Sequence, residues 1–92
     1  MQELAFEFKL YVIGSTQKKL IGERLRGILS DLFTDKGFKL EVIDLLEHPA
    51  LAERENIIAT PLLVRIRPIP QQYVTGDFSD RTRLEQILIK RG

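Results

Sequence analysis

The segment Phe6-Glu7-Phe8-Lys9-Leu10-Tyr11-Val12-Ile13 opens with alternating apolar residues and closes as an unbroken apolar run. A strand covered on one face at its start and on both at its end reads this way. Gly14 stops it, and Ser15 or Thr16 is placed to cap a helix. Leu20, Ile21, Leu25, Ile28, Leu29, Leu32 and Phe33 then recur at helical spacing. Gly22 and Gly27 fall inside this helix at a cost of roughly 1 kcal/mol each against alanine, which close packing on a sheet would explain. Gly37 fits the left-handed residue that closes a helix. Beyond it Phe38, Leu40 and Val42 alternate with Lys39, Glu41 and Ile43 as a second strand. Strand, long helix and strand make a βαβ unit, so the first two strands are expected to lie parallel.

Glu47-His48-Pro49 opens a short helix, with the proline near its first turn, and the segment ends near Asn56. Ile58-Ala59-Thr60-Pro61 then leads into a new strand. A threonine–proline pair at such a junction is where a chain can hold a cis bond. In Leu62-Leu63-Val64-Arg65-Ile66-Arg67, the residues Leu62, Val64 and Ile66 are predicted to face the core, with Arg65 and Arg67 exposed opposite them. Pro68-Ile69-Pro70 turns the chain, and Gln71 to Thr75 returns as an antiparallel partner ended by Gly76. Ser79 or Asp80 caps a last helix whose Leu84, Ile87 and Leu88 share a face. The order β-α-β-α-β-β-α over residues 1–92 predicts one α/β domain with a mixed sheet on a thioredoxin-like plan. Thioredoxin-like enzymes place a proline like Pro61 beside a Cys-x-x-Cys site. This chain has the proline and no cysteine.

Without cysteine, disulfides, thiolate catalysis and cysteine–metal sites are excluded. One histidine and scattered carboxylates offer no zinc site, and no cofactor is expected. Fourteen basic and thirteen acidic side chains give a formal charge of +1 in 92 residues. That balance supplies no global field for nucleic acid or an anionic membrane. No apolar run reaches the length of a membrane span, and the first residues lack the pattern of a secretory signal, so the cytoplasm is the expected location.

Catalytic options are few. Ser15 or Thr16 occupies the place of the attacking group in a thioredoxin-like enzyme, but either would need a base in hydrogen-bond reach. The single histidine, His48, lies far along the chain, where it reads as a solvated residue at a helix start. Asp44 and Glu47 straddle a strand end, where a carboxylate favoured by the positive end of a helix is the simpler role. Arg65, Arg67, Arg81 and Arg83 form the most polar grouping, either a solvated surface or a site for an anion or acidic partner. No aromatic stripe accompanies them as single-stranded nucleic acid would need.

Lys9-Leu10-Tyr11-Val12-x-Gly14, Val42-Ile43-Asp44-x-Leu46, His48-Pro49-x-Leu51-Ala52-Glu53, Ile58-Ala59-Thr60-Pro61 and Gly76-Asp77-Phe78-Ser79-Asp80-Arg81 resemble, in order and spacing, the KaiB family of circadian-clock proteins. The resemblance runs from about residue 6 to residue 88, and a SasA-type sensor domain shares the plan less closely. It implies a protein-binding module with no chemistry of its own, docking on a KaiC-like ATPase ring. A partner histidine kinase, as for a SasA-like input domain, is the second reading, and a residual enzyme using Ser15 or Thr16 the third. The family also implies a possible homo-oligomer, a dimer or tetramer, and an alternative ground-state fold with a rearranged second half. Carried onto this chain, the partner surface falls on Glu41, Leu51, Ala52 and Asn56, with Thr60 and Pro61 as structural residues at the cis-proline position.

Departures from the family pattern carry information. Glu41 and Asn56 stand where basic residues are usual, and charge reversal at a docking surface can exclude one partner and select another. Arg67-Pro68-Ile69-Pro70 replaces a more proline-rich run, and Ile87 and Ile89 stand where relatives often carry Gly and Asp. Local preferences over residues 62 to 90 therefore agree with the thioredoxin-like state, although Ile87-Leu88-Ile89 is also compatible with a strand.

Overall fold

The computed structural model describes residues 6–34 and 37–89. Seven elements follow one another: β1 (Phe6–Val12), α1 (Ser15–Leu32), β2 (Phe38–Asp44), α2 (Pro49–Arg54), β3 (Leu62–Arg67), β4 (Gln72–Thr75) and α3 (Arg81–Leu88). The strands form one sheet in the order β2-β1-β3-β4. β1 and β2 are parallel, with Phe6 opposite Phe38 and Val12 opposite Asp44, and α1 makes the crossover that parallel neighbours require. β3 runs antiparallel to β1, and β4 antiparallel to β3. This mixed four-stranded sheet is the thioredoxin-like plan expected from the sequence. The stretch at Ile87-Leu88-Ile89 is resolved in favour of helix as far as Leu88, with Ile89 as its C-cap.

The two faces of the sheet are covered unequally. On one, Phe6, Phe8, Leu10 and Val12 of β1 and Leu63 of β3 meet Ile21, Leu25, Ile28 and Leu29 of α1 and Leu84 and Leu88 of α3. Phe33 closes one end of this core, its ring centroid 4.2 Å from that of Phe6, 5.9 Å from Phe8 and 6.4 Å from Phe38. The other face carries a smaller cluster of Tyr11, Leu45 and Val64, against which Ile43, Leu51, Ala52, Ile57, Leu62 and Ile66 pack. Its only helical cover among the described residues is the six-residue α2.

Four local expectations are corrected. Arg65, read as exposed, is fully buried, whereas Arg67 is exposed as expected. Parity puts Arg65 on the Leu63 side of β3, and that side faces the larger core. The guanidinium is tolerated because Nη1 donates to the Leu88 carbonyl at 2.7 Å and Nη2 to the Pro70 carbonyl at 2.8 Å. Neither Ser15 nor Thr16 caps α1: Gly14 is the N-cap and no side chain of α1 performs that role. Instead the backbone N–H of Gly14 donates to the Asp44 carboxylate and that of Ile13 to Gln17 Oε1. Gly37 is left-handed, at φ 70°, but α1 ends earlier, at Leu32, so Gly37 leads into β2 rather than closing the helix. Of the two helical glycines, Gly22 is buried and would place a Cβ 4.0 Å from Val42, while Gly27 faces open space. That is an ordinary van der Waals distance, so close packing on the sheet requires glycine at neither position. Asp80, one of the two residues expected to cap α3, does so by accepting from the Arg83 N–H.

Candidate functional site

The thinly covered face of the sheet is built by strand register. Glu41 lies opposite Lys9, Lys9 opposite Val64, and Val64 opposite Tyr73, so these four form one row across all four strands. Ile43, Tyr11, Leu62 and Thr75 form the next row in the same way. At a strand spacing of about 4.8 Å each row is some 14 Å wide. α2 sits at the side of the second row, because Leu51 and Ala52 pack into the cluster containing Ile43, Tyr11 and Leu62.

α2 begins at His48, whose backbone carbonyl accepts from the Leu51 N–H, with Pro49 in the first turn, where its missing N–H costs nothing. It ends abruptly. Glu55 is the C-cap and Asn56 has φ 55°, a left-handed conformation that asparagine tolerates better than most residues. The Ile57 N–H donates back to the Ala52 carbonyl at 2.8 Å, turning Ile57 down onto the sheet. Glu55 is thereby held at the end of the helix and lines a groove of about 290 Å³ together with Lys9, Tyr11, Ile57, Val64, Ile66 and Tyr73.

Of the residues expected at a partner surface, Glu41 and Asn56 are exposed and Leu51 and Ala52 half-buried. Leu51 and Ala52 join one cluster, and Glu41 projects from the same side of the sheet two residues before Ile43. Thr60 and Pro61 are joined by a cis bond and lead directly into β3, and the Arg67–Pro68 and Ile69–Pro70 bonds are cis as well. Tyr11, Glu55 and Tyr73 had not been singled out from sequence. The signal for the two tyrosines was parity, since Tyr11 shares a face with Lys9, and Tyr73 with Thr75.

The electrostatics of the groove centre on Tyr11. Its phenol is held above the ordinary tyrosine range, first by burial and then by the negative charges of Glu55 and Glu41, with Tyr73 adding to them. Tyr73 donates its hydroxyl to Gln71 Oε1 at 2.8 Å. A second depression, of about 230 Å³, lies on the far side of α2 between Ile13, Leu46, Ala52, Ile58 and Thr60. Ile58 is 99% exposed there and Leu46 67%, an apolar lip at the ends of β1 and β2.

Asp44 fastens that end of the sheet. Its Oδ1 accepts from the Gly14 N–H at 2.9 Å and the Leu46 N–H at 3.0 Å. These two bonds hold the Asp44 carboxyl below the ordinary aspartate range. Glu47 pairs with Lys18 at 3.7 Å, so the two carboxylates serve separate structural ends. Ser15, Thr16 and His48 are all exposed. The four arginines do not converge: Arg65 is internal, Arg81 pairs with Asp31 at 2.7 Å, and Arg67 and Arg83 lie on different exposed elements. Among the described residues no group of three or more His, Asp and Glu could hold a metal ion, and no helix is long and apolar enough to cross a membrane.

Comparison with known proteins bears on the family of the chain. The chain matches the KaiB domain family model over residues 9–89. It is 44% identical over 86 residues to the circadian clock oscillator protein KaiB of Rippkaea orientalis, covering 91% of this chain and 78% of that one. It is 44% identical over 77 residues to the same-named protein of Prochlorococcus marinus strain MIT 9303, covering 83% of this chain and 64% of that one. Among solved structures, the N-terminal domain of Synechococcus elongatus SasA superposes with a TM-score of 0.76 at 27% identity, covering all of this chain (100%) and 91% of that domain. With the family model spanning most of its length and relatives well above the identity at which homology is secure, the chain belongs to the KaiB domain family.

Proposed function

We propose that this protein is a non-enzymatic docking module of clock or related signalling machinery, acting in the cytoplasm, whose partner is a KaiC-like ATPase ring. The observation that carries the reading is the uneven cover of the sheet. One face is sealed by α1 and α3, while the other is left to a six-residue helix flanked by a groove and an apolar lip. A surface combining half-buried apolar residues with a charged rim is what a protein interface requires. Glu41, Leu51, Ala52 and Asn56 sit on or beside this face, and the KaiB relatives are named as clock oscillator proteins.

Capture of the host's KaiC-like ATPases on the immobilised protein, with and without ATP, tests the proposal. Leu51→Asp places a charge at a half-buried position of α2 and is expected to abolish capture, and Asn56→Lys to change affinity while leaving the fold intact. Failure of the wild-type chain to retain any such ATPase overturns it. The likeness to the SasA sensor domain favours a second reading, an input module of a histidine-kinase pathway. A kinase encoded in the same chain, or copurifying with it in place of a ring ATPase, is the outcome that reading expects.

A further inference from the structure

The groove beside α2 is lined by one carboxylate, Glu55, and one lysine, Lys9. Its floor is apolar, made by Leu62, Val64 and Ile66, and its walls include Tyr11, Tyr73 and Glu55. Lys9 lies in register opposite Glu41 in the parallel β1–β2 pair. Two carboxylates therefore face the region of one lysine. Among the described residues the ion pairs are Lys18–Glu47 and Arg81–Asp31, so none engages Glu55. The field of both carboxylates is felt inside the groove, since Glu55 and Glu41 each oppose ionisation of the Tyr11 phenol.

An apolar floor, an aromatic wall and a carboxylate without a partner suit a long cationic side chain. Arginine and lysine lay their methylene stems on apolar surface and keep the charge at the tip. A guanidinium can meet a carboxylate through two hydrogen bonds and an aromatic ring through its face. We infer that this groove receives an arginine or lysine side chain of the docking partner, with its stem on Val64 and Ile66 and its charged head between the Glu55 carboxylate and the Tyr73 ring. This rests on the reading of the face as a docking surface for the ATPase ring and specifies the chemistry of that partner. The ring surface meeting this chain is basic at that point, in keeping with an acidic Glu41 on the same face.

Two measurements separate this inference from the docking reading. The first needs no partner: acetyl-arginine amide is titrated into the ¹⁵N,¹³C-labelled protein, with acetyl-citrulline amide as the uncharged isostere. The expected result is a saturable shift of the Tyr11, Glu55 and Tyr73 signals with arginine only. Equal shifts with citrulline, or an arginine titration unchanged in Glu55→Lys, overturn the inference. The second is affinity for the ATPase ring, where Glu55→Gln is expected to weaken binding about three- to fivefold. Glu55→Lys, which sets like charges together, is expected to weaken it about tenfold or more. If the wild-type chain binds the ring and both Glu55 variants bind equally well, the groove inference fails while docking stands. If the wild-type chain binds no ring but the arginine titration succeeds, docking fails and the cation groove stands. Far-ultraviolet circular dichroism of each variant confirms that exposed Glu55 has been changed without loss of fold.

Discussion

Replacing Arg65 by methionine removes a charge from the interior and should still destabilise the protein. The guanidinium reaches two carbonyls from different parts of the chain, Leu88 at the end of α3 and Pro70 in the turn before β4. Hydrogen bonds from a charged donor contribute about 1.5–3 kcal/mol each, and a cation at a helix C-terminus adds about 0.3–1 kcal/mol. Against this stands the desolvation of the guanidinium, several kcal/mol, which methionine does not incur. Methionine in turn strands both carbonyls, at about 1–3 kcal/mol each. Setting the stranded carbonyls and lost helix-end interaction against better apolar packing leaves a net loss of about 2–4 kcal/mol. For a domain of this size that lowers Tm by roughly 10–20 °C. Arg65→Lys keeps the charge but lacks the fork that spans two acceptors, and should fall between the two. Urea denaturation followed by circular dichroism measures the effect, with an unchanged slope showing that the unfolded state is unaltered. Arg65→Met within about 0.5 kcal/mol of wild type, the range of neutral surface changes, would refute the reasoning.

Gly27→Ala should stabilise the protein by about 0.5–1 kcal/mol, because the new methyl meets no neighbour and the unfolded chain loses freedom; a lowered urea midpoint would contradict this. Phe33→Ala removes the ring on which Phe6, Phe8 and Phe38 converge and should cost about 3–5 kcal/mol, read in the same denaturation assay. Asp44 should confer acid sensitivity. Its folded pKa is depressed, so the unfolded chain binds more protons; the contribution is complete above the unfolded value of about 3.9 and is lost as pH falls through the lower folded value. Asp44→Asn should therefore flatten the acid limb of the stability–pH curve, and parallel curves for the two proteins would count against it.

The order of elements was legible because each was written in local terms. The apolar run before Gly14, the helical spacing up to Phe33 and the alternation from Phe38 each have one reading, and together they force a parallel pair. Which face of β3 carries the arginine was not legible. Alternation separates Arg65 from Val64 but does not say that both sides of a central strand are covered. Nor does sequence show that two distant carbonyls wait for a buried guanidinium. The cap of α1 differs for a related reason: Ser15 and Thr16 are good local acceptors, but the helix already begins at Ser15, leaving Gly14 as N-cap with its N–H held by Asp44, thirty residues away. For the thinly covered face, Leu51 and Ala52 were visible as part of a short helix. Tyr11, Glu55 and Tyr73 come together only through register across four strands and the sharp stop at Asn56, neither of which has a local signature.

The uneven cover of the sheet separates two kinds of substitution. Changes in the Phe6–Leu88 core are judged by whether the chain folds at all, so that face has little room to vary. The exposed side chains of the other face, Glu41, Tyr73 and Glu55, rest on the same scaffold but lie outside its buried clusters. Charges there can be exchanged one at a time while the protein stays intact. Substitutions on this face can therefore accumulate by single steps, each intermediate still folded and open to selection. For an engineer the same face is a ready-made place to graft a new specificity.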